Sequence, residues 1–172
     1  MRKAHLELAH EYWRRHLQPD DTAIDATCGN GKDLAYLATL LPEGKIFALD
    51  IQLEALDAAR KNAPNSIIFL HQCHSVLPED PDLRLIVYNL GYLPGGNKAI
   101  TTRTQTTLQS AKLGLERLKT GGALSFVCYP HEEGKREREV LLEWTKEAPV
   151  EAKHHVFGAH APSFLWVIKS QT

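Results

Sequence analysis

Cysteine is scarce. Cys28, Cys73 and Cys128 are odd in number and far apart, which excludes a disulfide framework and a paired-cysteine zinc site and points to a reduced, cytoplasmic setting. No apolar run approaches the ~20 residues that cross a bilayer, and none has the form of a signal peptide. An excess of one charge is also missing. With 20 basic and 21 acidic side chains the net charge is −1, so no global field draws the chain to nucleic acid, and any such contact must be a local patch. There is no internal repeat, low-complexity tract or flexible linker. A chain of 172 residues, 43% of them hydrophobic, suffices for one full core and not for two, so residues 1–172 are expected to form a single domain.

What is present centres on Thr22-Ala23-Ile24-Asp25-Ala26-Thr27-Cys28-Gly29-Asn30-Gly31, an apolar run closing on an acid and then a two-glycine turn. Gly29 and Gly31 let the backbone turn sharply and approach a ligand without a side chain between them. The helix that follows, from about Lys32 and Asp33, would present unpaired N–H groups and partial positive charge to a carboxylate or phosphate. An ordinary strand-to-helix turn would look similar in isolation. The next run, Gly44 to Asp50, also closes on an acid, about 20 residues beyond the turn, where a neighbouring parallel strand delivers a carboxylate to ribose hydroxyls. A nucleoside cofactor is therefore expected. Leu34 stands where the dinucleotide fingerprint wants a third small residue, which disfavours NAD. S-adenosylmethionine fits better, with ribose hydroxyls for Asp50 and a carboxylate for the N–H groups after Gly29. The candidate cofactor contacts are Asp25, Thr27, Cys28, Gly29, Asn30, Gly31, Asp33, Asp50, Ile51 and Gln52.

Periodicity orders the rest. An amphipathic helix over 1–16, with Leu6, Ala9, Trp13 and Leu17 on one stripe, is expected to cap the sheet, and exposed apolar groups on it would permit a homodimer. Strands are predicted over 22–26, 44–50, 66–70, 83–88, 123–128, 151–157 and 163–169, and helices over 32–41, 52–62, 101–118 and 132–146. This alternation gives an α/β fold: a Rossmann-like, seven-stranded, mostly parallel sheet with helices on both faces. Right-handed crossovers then set the carboxyl ends of the first and fourth strands side by side at a topological switch point, where ligands bind.

At that point the fourth strand runs into Tyr88-Asn89-Leu90-Gly91-Tyr92-Leu93-Pro94-Gly95-Gly96-Asn97. Asn89 offers an acceptor oxygen, Tyr92 a face for stacking a base, and Gly95 and Gly96 let backbone carbonyls reach an amino group. A turn with a satisfied Asn is the plainer alternative. His71-Gln72-Cys73-His74 matches no standard zinc spacing, and no metal is expected. The run Lys135-Arg136-Glu137-Arg138-Glu139 reads as a solvated helix face, with RNA phosphates as a further use of its cations.

Asp25 to Gly31, Asp50-Ile51-Gln52, Asn89 to Lys98 and Thr101-Thr102 together resemble the small bacterial class I methyltransferases of the rRNA methylase family, along nearly the whole chain. The resemblance implies a single S-adenosylmethionine-dependent domain that methylates the aminomethyl nitrogen of 5-aminomethyl-2-thiouridine at the tRNA wobble position, with the anticodon loop as partner. It implies His74 and Ser75 beside the adenine, Asn89, Tyr92 and His131 as catalytic residues, Asn89 also near the cofactor, and Tyr92, Gly95, Gly96, Thr102 and Tyr129 on the substrate side. His131 is expected to accept the amine's proton. The chain departs from the family pattern at Lys32 and Leu34, at Tyr129-Pro130, and at His160 to Ser163. Other RNA bases, a small-molecule amine, a non-catalytic nucleotide-binding protein and an NAD-dependent oxidoreductase are the alternative readings.

Overall fold

The computed structural model describes residues 3–29, 31–61, 63–64, 66–91 and 102–171. Its elements are α1 (Ala4–His16), β1 (Thr22–Asp25), α2 (Lys32–Leu40), β2 (Lys45–Asp50), α3 (Leu53–Arg60), β3 (Ile67–His71), β4 (Leu83–Leu90), α4 (Thr104–Arg117), β5 (Ala123–Cys128), α5 (Glu132–Glu147), β6 (Val150–His155) and β7 (Ser163–Lys169). The strands make one seven-stranded sheet in the order β3-β2-β1-β4-β5-β7-β6. β1 pairs in parallel with both β2 and β4, while β7 and β6 run antiparallel at one end. The switch point between β1 and β4 is thus where the pattern predicted it.

The sheet is covered on both faces, as a largely parallel sheet must be. Alternation along β4 shows the division: Leu85 and Val87 join Ala9, Trp13, Leu37 and Leu56 in one core layer, whereas Ile86 and Tyr88 join Ala111, Leu124, Phe126 and Leu141 in the other. Thus α1, α2 and α3 pack on one face and α4 and α5 on the opposite one. α1 is anchored by Trp13, only 1% exposed, whose indole N–H donates to Ser125 Oγ at 2.8 Å. The edge strand β6 carries exposed Glu151 and Lys153, charges that discourage pairing with another chain.

Three expectations change. β4 continues through Asn89 and Leu90, which pair with Val127 and Cys128 of β5, so Asn89 stands on a strand rather than in a loop. The large exposed apolar side chains of the described residues are Ile51, Leu53, Ile68, Val76, Val156 and Phe157. None lies on α1, whose Leu6, Leu8 and Tyr12 are partly buried against the core, so α1 offers no large exposed apolar side chain for the expected homodimer. Glu137 is 1% exposed, so the charged run on α5 is not wholly solvated.

The turn into β2 is packed on backbone. A Cβ at Gly44 would lie 2.1 Å from the carbonyl oxygen of Asp21, which also accepts the Lys45 N–H at 3.2 Å. Gly44→Ala must push the two loops apart, at a cost of about 1–3 kcal/mol. Calorimetry should show a midpoint lowered by roughly 2–4 °C for each kcal/mol, and an unchanged midpoint would contradict this close approach.

Candidate active site

The carboxyl ends of β1, β2 and β4 open on one cavity of about 1330 Å³, larger than the ~300–1000 Å³ of most small-ligand pockets. It has room for a cofactor and part of a second molecule.

The glycine turn forms its floor. Ala26 N–H donates to the Val87 carbonyl at 2.9 Å and Cys28 N–H to the Leu49 carbonyl at 2.8 Å, stitching the turn to the ends of β4 and β2. Asp50 completes the fixing, with Gly29 N–H on Oδ2 and Gln52 N–H on Oδ1, both at 2.9 Å. Its carboxylate still faces the cavity, and each oxygen keeps a lone pair for hydroxyls. Gly31 begins α2 at φ 88°, and a Cβ there would lie 2.9 Å from Ala59 Cβ; glycine is required on both counts. α2 has no side-chain cap at its N-terminus, leaving donors for a ligand carboxylate. Ile51, 50% exposed, offers an apolar face at the rim beside Gln52.

Asn89 lies opposite the turn. Its N–H donates to Thr27 Oγ1 at 2.6 Å, and its Nδ2 donates to Asp33 Oδ2 at 2.5 Å. Its Oδ1 is buried and accepts no hydrogen bond from the described residues. Asp33 Oδ1 is 2.8 Å from His10 Nε2, and the His10 ring stacks on Tyr36 at 4.1 Å and 11°. α1 therefore supplies Leu6, Glu7, His10 and Glu11 to the cavity wall, and its N-cap residue Lys3 adds to them. The sequence predicts α1 as a cap on the sheet and a surface that would permit a dimer, and its polar stripe does not distinguish a cavity wall from a solvated face.

The remaining wall includes Cys73, His74, Gly91, Thr102, Arg103, Tyr129 and His131. Thr102 N–H donates to the Gly91 carbonyl at 3.1 Å, joining the two ends of the segment that follows β4. The Thr102 hydroxyl donates to buried Glu137 at 2.8 Å, and Thr107 donates to the same carboxylate at 2.5 Å. Burial raises the Glu137 pKa, and these hydroxyls oppose the rise. His131 caps α5 by accepting the Gly134 N–H on Nδ1 at 3.0 Å. With Nδ1 an acceptor, the neutral ring carries its proton on Nε2. His131 is then a donor beside Gly91, which counts against its expected role as proton acceptor.

Three expected cofactor contacts stand back from the wall. Asp25 is fully buried beneath the turn, where it accepts the Thr27 N–H at 3.3 Å. Burial first, and then the Asp33 charge, hold its pKa well above the ordinary carboxylate range. Gly31 shapes the start of α2, and Ser75 gives its N–H to Cys73 Sγ at 3.4 Å; neither is among the lining residues. Burial, reinforced by Asp25 and Asp50, keeps the Cys28 thiol protonated, so it is no nucleophile. His74, 6% exposed, has its pKa lowered to about 4 by burial. Asn30, Tyr92, Gly95 and Gly96 fall outside the described residues.

Residues 46–161 match the family described as "Putative rRNA methylase". The chain belongs to that family. Residues 17–69 also match a general methyltransferase domain, and that span contains the glycine turn and Asp50. The chloroplastic tRNA (mnm5s2U34)-methyltransferase of Arabidopsis thaliana is 38% identical over 168 residues, an alignment covering 87% of this chain and 61% of that protein. The chain thus spans less than two thirds of that relative's length. Among solved structures, a Clostridium thermocellum family member of the same description is 31% identical, with a TM-score of 0.90 over 98% of this chain and 99% of that one. A Streptococcus mutans "putative methyltransferase" in complex with SAH is 29% identical, with a TM-score of 0.83 over 98% of this chain and 99% of that one. Both likenesses run from end to end of this chain, which has the Rossmann-like class I methyltransferase fold.

Proposed function

We propose that this family member is an S-adenosylmethionine-dependent methyltransferase that N-methylates the aminomethyl group of 5-aminomethyl-2-thiouridine at the tRNA wobble position. The observation that carries the reading is the buried acceptor Asn89 Oδ1, which takes no hydrogen bond from the described residues and is held on β4 across from a glycine turn clamped by Asp50. The named activity of the Arabidopsis relative and the SAH in the Streptococcus relative support it.

The glycine turn and the α2 N-terminus would take the methionine carboxylate, Asp50 the ribose hydroxyls, and Ile51, Cys73 and His74 the base. The amine then lies against Asn89 Oδ1. S-adenosylmethionine would supply the methyl group on an activated sulfonium, which would depart as a thioether as the amine lone pair takes the methyl carbon. Asn89 Oδ1 would order the amine, and one N–H proton would pass to solvent. The donor is already activated, so alignment does most of the work: holding two reactants in line is worth roughly 7–11 kcal/mol. Tyr129 and His131, both on the cavity wall, are proposed to border the uracil ring. Tyr92, Gly95 and Gly96 are proposed to complete the substrate wall.

Exposed Lys3, Lys32 and Arg103 stand on the cavity rim among the carboxylates of Glu7 and Glu11, and these three cations are the groups proposed to meet RNA phosphates. An unpaired wobble base is readily splayed out, so one domain would suffice. No described helix is long and apolar enough to cross a membrane, and a tRNA substrate makes the cytoplasm the proposed place of action.

The test is incubation with labelled S-adenosylmethionine and bulk tRNA from cells lacking the terminal wobble-uridine methylation, followed by digestion and identification of the labelled nucleoside. Label on the aminomethyl group is expected. Label on another nucleoside would keep the reaction and replace the substrate, and no transfer despite firm cofactor binding would reject the activity.

A further inference from the structure

An asparagine amide can present either its oxygen or its NH₂ to a substrate, and only the oxygen can accept a hydrogen bond from an amine. The contacts around Asn89 choose between them. Asp33 Oδ2 is an acceptor, so the amide must turn Nδ2 toward it at 2.5 Å, which leaves Oδ1 buried and unpartnered within the described structure. Asp33 is held in turn. Its other oxygen takes His10 Nε2 at 2.8 Å, and it is the second residue of α2, where the helix dipole favours negative charge. The His10 ring is fixed by stacking on Tyr36 at 4.1 Å, while the Tyr36 hydroxyl donates to the His10 carbonyl at 3.4 Å.

Resting on the methyltransferase reading above, we propose that Asp33 and His10 are positioning residues: together they lock the Asn89 amide with its oxygen toward the substrate nitrogen. Asp33, expected from sequence to touch the cofactor, acts instead through Asn89. His10 brings α1 into the reaction centre. In Asp33→Asn the amide at position 89 loses its obligatory acceptor and can offer NH₂ to the amine, a donor facing a donor.

The experiment compares kcat and KM for aminomethyl-bearing tRNA, and SAH affinity by calorimetry, in wild type, Asp33→Asn, the double variant Asp33→Asn with Asn89→Asp, His10→Ala and His10→Gln. Asp33→Asn should keep SAH affinity within about threefold and lose roughly 30-fold in kcat with little change in KM. The double variant conserves net charge. The amide at position 33 can donate to the carboxylate at position 89, whose other oxygen faces the cavity, so at least tenfold of the lost kcat should return. His10→Ala should lose about fivefold and His10→Gln, which keeps a donor, much less. A merely structural role would give no rescue by the double variant. With an active wild type, full kcat in Asp33→Asn, no rescue, or loss of SAH binding would each overturn the positioning role. If Asp33→Asn does not fold, the comparison of His10→Ala with His10→Gln decides. An inactive wild type would reject the methyltransferase reading itself, and this inference with it.

Discussion

Asn89→Ala should lower methyl transfer by about 10²–10³-fold while SAH affinity stays within a factor of a few. Removing one preorganised hydrogen-bonding group from a water-poor site typically costs that much. Asn89 fits the description. Its backbone is paired with Val127 and bonded to Thr27 Oγ1 at 2.6 Å, so truncation leaves the strand in place and removes only the amide. The lost oxygen is the one that would order the amine's protons and leave its lone pair directed at the methyl group. Because the interaction tightens as the nitrogen becomes positive, the loss should fall on kcat more than on KM. Single-turnover transfer and SAH calorimetry on the same preparation check this. Full turnover would remove Asn89 from the mechanism, and loss of SAH binding alone would move it to the cofactor contacts.

The parts of this site readable in advance were those that local patterns encode. The turn at Gly29 and Gly31 and the offset of Asp50 are short-range features, and the neighbouring of β1 and β4 follows from crossover handedness. The parts that were not readable depend on partners far away in the chain. Local propensity ends β4 at Tyr88, because Asn89 and Gly91 are poor strand formers, yet pairing with Val127 and Cys128 extends it to Leu90. His10 is 23 residues from Asp33, and nothing in the periodicity of α1 separates a catalytic-cleft face from a solvated one. Glu137 sits in a run of charges and reads as surface. The threonine hydroxyls that make its burial tolerable, Thr107 at 2.5 Å and Thr102 at 2.8 Å, belong to α4 and the segment leading into it. Thr102 thus serves the site from both ends, as a wall residue and as the tie between α5 and the segment that follows β4.

His74 should make the unliganded protein lose stability in mild acid, over a window set by its own titration. The ring is 6% exposed, its Nδ1 is buried without a hydrogen-bond partner among the described residues, and it meets Tyr88 edge-on at 5.7 Å. Burial lowers its pKa from 6.5 to about 4. Between those values the unfolded chain binds a proton that the folded chain refuses, so stability rises with pH across the window. The contribution is complete above about pH 6.5, falls as pH drops toward 4, and changes no further below that. Its full size is roughly 3 kcal/mol. Asp25 and Glu137 act with the opposite sign, because burial raises their pKa values and acid relieves the cost of their charge. The whole-chain slope therefore mixes these terms, and only a paired comparison isolates His74. In His74→Leu the titrating group is gone, and urea unfolding at pH 7.5 and pH 4.5 should show the variant gaining about 2–3 kcal/mol on the wild type between the two conditions. Parallel losses in both proteins would mean that His74 is protonated in the folded state and that the wall beside Cys73 admits water.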